Sequence, residues 1–315
     1  MKHIFDKFNT PKSPIHWIIM LNTNKDKVVK ISVIGEVVSP VMGAGVYRVG
    51  ANGDIHILPG TGGITYNVRV GDSAIGWMGD HVEPGVSVEN RVSDSRFPQG
   101  QSRALNILSC IGNEATVVKG DAKGAKGVVV GKHGGIEHVM MDFQPEVMEQ
   151  LVIEDKIMVK AYGQGLQLLD MPEVKMFNVS PEFLETLDPK IEGGKLQVPV
   201  THKVPAAIMG SGLGRSHVAS GDYDITMFCE ETCEEHGLSD LCLGDLVAIT
   251  DSDQSYGRIY RRGSVSVGIV THSNSYIAGH GPGVTTLFTS TKGLIEPVVD
   301  KDANIAKILN LRDDL

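Results

Sequence analysis

A chain of 315 residues, 41% hydrophobic and 21% charged, has room for a large core and one or two domains, and the composition of a water-soluble globular protein. Its 29 basic against 38 acidic side chains leave a net charge of −9, which argues against nucleic acid or an anionic membrane as partner. Four cysteines (Cys110, Cys229, Cys233 and Cys242) in so long a chain exclude a secreted disulfide framework and point to the cytoplasm.

Residues 1–27 read as an N-terminal extension. Its apolar stretch PIHWIIML (14–21) follows Lys2, Lys7 and Lys12, is too short to span a bilayer, and has no small-residue cleavage site after it; Met20 is an alternative start. From there, period-two alternation and turn residues dominate. KVVKISVIGEVV (27–38) reads as a strand that turns at Gly35. GQSRALNILSCIGN (100–113) carries Ala104, Leu105, Leu108 and Ile111 at helical spacing, with Gly112 just past the helix end. VVKGDAKGAKGVVVGKHGGIEHV (117–139) alternates glycines with Lys119, Lys123, Lys126 and Lys132, in the turn-and-strand pattern of small SH3-like barrels. IEDKIMVKAYG (153–163) and LGDLVAITD (243–251) each set an acidic turn before an alternating strand. SPEFLETL (180–187) opens a helix with Ser180 as N-cap and Pro181 at N1. FCEETCEEHG (228–237) and DANIAKILNL (302–311) are the other helical segments, and LDPKIEGGKLQ (187–197) is the candidate lobe boundary. In GSVSVGIVTH (263–272), Val265, Val267 and Ile269 share one face and Ser264, Ser266, Val270 and His272 the other, as in a half-buried strand. The expected fold is mainly β with α+β character: antiparallel sheets or barrels with a few short helices. A β-rich lobe holding the SH3-like segment covers 28–190, an α+β lobe covers 191–315, and a symmetric homo-oligomer is expected.

Chemistry concentrates in glycine-rich loops. In GWMGDHVEPGVSVEN (76–90), Asp80, His81 and Glu83 join carboxylates to an imidazole, a set that ligates metal or exchanges protons near neutral pH. The plainer alternative is a polar turn whose carboxylates accept backbone N–H bonds. The lysines of 117–139 suit RNA phosphates, a small-anion nest, or merely tight barrel turns; the acidic chain and the lack of aromatic stacking residues speak against RNA. In MGSGLGRSHVASGDYDI (209–225), GSGLGR does not open a helix, so no nucleotide cofactor is expected. The spacing His217-x-x-x-Gly221-Asp222-x-Asp224 is similar to a stretch of acetamidase/formamidase-type amidohydrolases. That resemblance implies that His217, Asp222 and Asp224 handle metal or water, against the alternative of a Gly-Asp turn. Cys229, Cys233 and His236 would share a helix face, with Cys242 beyond, but without Cys-x2-Cys knuckles core packing is the expectation over zinc. Finally, YGRIYRRG (256–263) brings Arg258 and Arg261 near His272 and the loop IAGHGPGVTTL (277–287). If the strands pair as a hairpin, both arginines and both imidazoles, His272 and His280, face one cleft suited to a carboxylate or phosphate. A satisfied histidine in a Gly/Pro turn is the alternative.

Read in order, GDHVEPGVS, CIGNEATVVKGDAKGAKGVVVGKHGG, AYGQGL, VPAAIMGSGLG, GDYDI and AGHGPGVTTL resemble the prokaryotic family known as domain of unknown function 4438, over most of the chain from residue 28 onward. The resemblance implies a β-rich cytosolic protein and supplies no reaction. The residues themselves point first to a metal-dependent hydrolase of a small amide or cyclic amide. His81, Glu83 and His280 are its catalytic candidates, and Arg258, Arg261 and His272 bind substrate. Asp80, His217, Asp222 and Asp224 hold a divalent metal, zinc or magnesium. The alternatives are a non-catalytic binding protein for a small anionic metabolite, and an RNA-associated β-barrel.

Overall fold

A computed structural model describes residues 21–42, 47–92 and 96–315; the PIHWIIM stretch and Met20 lie outside the described residues. Six antiparallel strands close a barrel in the order Ile31–Val37, Lys156–Ala161, Glu114–Lys119, Lys126–His133, His138–Asp142 and Gly85–Glu89. Val37 pairs with Val88 to close the ring. The glycine-lysine segment expected to form a small barrel thus supplies part of a larger one. Val37, Val88, Ala115, Val117, Val129, Val139, Ile157 and Val159 are buried in its core cluster. Gly35 does not turn the chain; it pairs with Ile157 in mid-strand.

A second sheet runs Lys175–Met176, Gly283–Ser290, Ile259–His272, Leu246–Asp253 and His202–Pro205. Its last pair is parallel, as is the pairing of Lys195–Val200 with Ile295–Val299. The 263–272 alternation holds, but from Ser266 onward both faces are buried. Val267 and Ile269 join the barrel-side core, while Val270 packs with Val247, Ile249, Val284 and Tyr223 in a second cluster beyond the sheet. A sheet covered on both sides reads as near-continuous burial, and polar residues inside it need partners. Ser266 finds them in Ser252 O and Thr289 Oγ1.

The helices fall where their periodicity places them. Gly100–Leu108 buries Leu105, and Pro181–Leu187 is capped by Ser180 Oγ, which accepts from Phe183 N at 3.0 Å. Glu230–Glu235 and Ile305–Ile308 are the others expected. The first helix stops at Leu108, so Gly112 lies in the following turn rather than at the helix end. Beyond Leu187, the expected boundary stretch forms a β-hairpin, Lys190–Glu192 with Lys195–Val200. Barrel and second sheet join where Lys132 N donates to Thr285 Oγ1, which donates back to Lys132 O. Among the described residues no helix is long and apolar enough to cross a membrane.

Candidate metal centre

Three chain segments converge at this junction. Barrel strand Lys126–His133 ends on His133, which pairs with His138 at the start of the next strand. Sheet strand Ile259–His272 ends on His272, opposite Gly283. Between them runs Asp222-Tyr223-Asp224, held as a short strand by Tyr223 bonded to Val284 and by the Asp224–Gly283 bridge. In extended chain, residues two apart face the same side. Tyr223 therefore packs into the apolar cluster while both carboxylates face the histidines.

His81 reaches the junction from a loop zipped to 273–274: His81 N donates to Asn274 O, Val82 N to Ser273 Oγ, and Ser273 N to Val82 O. His81 itself takes a left-handed backbone, φ 53°. The result is two adjacent His-Asp-His groups. Ligand atoms of His81, Asp224 and His280 lie within 4.8 Å of one another, as do those of His133, Asp222 and His272. In the first, His81 Nε2 is 3.1 Å from His280 Nδ1, and Asp224 Oδ2 is 3.1 Å from the same Nδ1. In the second, His272 Nε2 and Asp222 Oδ2 face each other as an ion pair at 2.6 Å, yet their angles do not make a hydrogen bond, and among the described residues neither buried atom has another hydrogen-bond partner. The His81 ring lies 5.1 Å from that of His272 and 5.7 Å from that of His133.

Behind the rings stands a second layer of acceptors. Asp80 Oδ1 sits 3.2 Å from His81 Nδ1, and is itself fixed by Ser275 Oγ at 2.6 Å. Glu83, wholly buried, accepts from His133 Nδ1 at 2.5 Å, His138 Nδ1 at 2.9 Å, Gly62 N and Ser87 Oγ. Ser273 O takes His272 Nδ1 at 3.0 Å. Such partners set the tautomer, leaving Nε2 of His81, His133 and His272 for a ligand.

The electrostatics follow from burial and from these pairs. Burial raises the Glu83 carboxyl, but hydrogen bonds from His133 and His138 outweigh it and hold Glu83 well below the usual carboxylate range. Burial pushes His81 down, against Asp80 and reinforced by repulsion from His272 and His133. Burial would lower His272 too; the Asp222 carboxylate reverses that and carries it up to about 9.

Residues 47–185 match the N-terminal family model of the domain of unknown function DUF4438, and residues 186–309 match its C-terminal counterpart. The chain belongs to the DUF4438 family. The crystal structure of TM1086 is similar to it with a TM-score of 0.85 and 50% identity, over 91% of this chain and 98% of that one. No curated protein matches it.

In this DUF4438 protein the structure gathers His81, His272, His280, Asp222 and Asp224, which the sequence singles out in three separate stretches. It changes several of the expected roles. Asp80 and Glu83 stand behind imidazoles rather than in the ligand groups, because their oxygens are consumed by histidine, serine and backbone donors. His217 is exposed and outside both groups: the chain reverses at 217–220, where Ser220 N bonds His217 O, and turns it away from Asp222. The amidohydrolase-like spacing therefore does not form a ligand set. Arg261 is exposed and bound to Asp253, near the other end of the strand that carries His272. Arg258 is wholly buried beside the Tyr223 ring, its three guanidinium nitrogens unpaired among the described residues. Lys132 is no turn lysine; it is buried against Asn178 Oδ1, Ala219 O and Ile107 O. Cys229 is exposed, Cys233 half-buried, and neither joins a ligand group among the described residues. His133 and His138 were passed over among glycines and lysines. Their signal was two histidines bracketing a Gly-Gly turn, GKHGGIEH, which a hairpin brings side by side.

Proposed function

We propose that this protein is a metal-dependent hydrolase of a small amide or cyclic amide, with its reaction site at His81, Asp224 and His280. The observation that carries this reading is the orientation of the imidazoles: an acceptor fixes the far nitrogen of His81, and its Nε2 points at Asp224 and His280. A polar turn needs no such second layer, whereas metal-binding histidines use one routinely. The donor set, rich in imidazole, suits zinc or a similar transition ion better than magnesium. Bound there, such an ion would make water a nucleophile near neutral pH. In the reaction, water oxygen bonds the carbonyl carbon and the C–N bond breaks. Asp224 Oδ1, the oxygen not directed at His81 and His280, would take the water proton and pass it to the leaving nitrogen. His280, a third exposed at its side chain, marks the open side from which substrate arrives.

The test is turnover by the zinc-loaded protein against short linear amides and five- and six-membered cyclic amides, followed as amine or carboxylate release. His81→Ala and His280→Ala should each lose at least about a hundredfold in kcat/KM with an unchanged circular dichroism spectrum. Activity that survives chelation, or that both variants retain, refutes the proposal. A second reading, binding of a small anionic metabolite without turnover, is favoured by the Arg258 guanidinium, which is buried without a hydrogen-bond partner among the described residues, since burying such a charge costs several kcal/mol. Thermal stabilisation by carboxylates or phosphate with no product formed would select it.

A further inference from the structure

We propose that His133, Asp222 and His272 form a second, closed metal site beside the open one, so that the centre holds two ions. The inference rests on the metal reading above but stands on its own atoms. Each of its residues has one side anchored. His133 Nδ1 is held by Glu83, His272 Nδ1 by Ser273 O, and Asp222 Oδ1 by Gly134 N–H at 2.9 Å. What remains is an inward set of two imidazole nitrogens and one carboxylate oxygen, all from buried residues.

Two further observations distinguish a ligand set from an ordinary buried ion pair. The first is that His272 Nε2 and Asp222 Oδ2 approach closely but are not aligned as donor and acceptor. An ion pair in so dry a place would align to recover the charge-assisted hydrogen bond. Atoms that point at a common third position have no reason to align. The second is Gly283. A Cβ on this residue would lie 2.3 Å from His272 Nε2 and 2.3 Å from Asp222 Oδ2. Both distances are far inside van der Waals contact, so a side chain here would push the two ligand atoms aside. Glycine at 283 thus keeps any side chain off these two ligand atoms, and its φ is not in the left-handed region, so the close approach, not the backbone geometry, is what calls for glycine there.

The two sites differ in access. The closed triad is buried throughout, whereas the open triad ends on the part-exposed His280. The closed site should therefore retain its ion and the open site exchange it with solvent. An ion locked behind Asp222 also fixes the Asp222-Tyr223-Asp224 strand that positions the open site.

The experiment strips the protein with chelator, reloads it with excess zinc, passes it through a desalting column and counts metal by mass spectrometry. Wild type should hold two equivalents on brief dialysis and one after prolonged washing. His280→Ala should keep the retained equivalent. Gly283→Ala and, as a second variant, His133→Gln should lose it, with at least tenfold weaker zinc binding and an unchanged far-ultraviolet spectrum. A retained equivalent that survives both Gly283→Ala and His133→Gln overturns the closed site. So does a single equivalent that His280→Ala abolishes, which would leave the open site and the hydrolase reading intact. A retained equivalent lost in Gly283→Ala, in a protein without amide turnover, supports the closed site and refutes the hydrolase. Failure of zinc to bind at all refutes both.

Discussion

Asp80 and Glu83 lie three residues apart on one loop and end in equivalent places, each behind a histidine rather than beside a substrate. Their type was legible in the sequence; their rank in the site was not, because rank depends on which donors reach their oxygens. The same holds for the cysteines. Cys110, wholly buried, has its thiol pushed up to about 11 by burial, with Lys132 pulling weakly the other way, whereas Cys229 is exposed. The thiolate is the reactive form, so at pH 8 an aromatic disulfide reagent should modify Cys229 quickly and Cys110 only on unfolding. Because the folded thiol binds its proton more tightly than the unfolded one, Cys110 adds stability below pH 9 that is lost as pH rises through about 11. Labelling of all four thiols in the folded state, or denaturation midpoints that rise over that window, would contradict this account.

Among the elements, GDYDI shows how a period of two converts sequence directly into a site. Acid, aromatic and acid alternate, so once Tyr223 is drawn into the apolar cluster both carboxylates must face the other way. Strand Ile31–Val37 teaches the opposite lesson. Its glycine reads as a turn, yet Gly35 lies where the barrel closes: a Cβ there would come within 2.4 Å of Val88 Cγ1 and 2.7 Å of Leu105 Cδ2. Glycine admits the neighbouring strand and helix, and no local pattern announces that kind of crowding. Gly35→Ala should destabilise the fold by about 1–3 kcal/mol through overpacking, read as a lower urea midpoint with unchanged slope. A midpoint at or above wild type would show that the seam has slack.

Over the whole molecule, distant segments are clamped at a few polar points within an apolar frame. Arg69 is one. It forks onto Asp142 at 3.0 and 2.7 Å at the end of a barrel strand, and also donates to Leu311 O near the C-terminus. Arg69→Leu leaves Asp142 buried without its partner and should cost about 3–5 kcal/mol, whereas Arg69→Leu with Asp142→Leu should recover most of it. Equal losses in the single and double variants would mean the pair is not what holds this corner. The mainly β, antiparallel character and the helix positions follow from local periodicity and capping, which the sequence carries by itself. So does the presence of reactive residues in glycine-rich loops, where apolar packing does not account for them. Tertiary structure alone decided that the loops at 81, 133, 222–224, 272 and 280 meet, that His133 belongs with them, and that His217, Arg261 and the cysteines do not. The physical reason is that strand pairing sets direction and register between segments more than a hundred residues apart. A one-residue change of register would send His133 and His272, which sit on paired strands, to the opposite face.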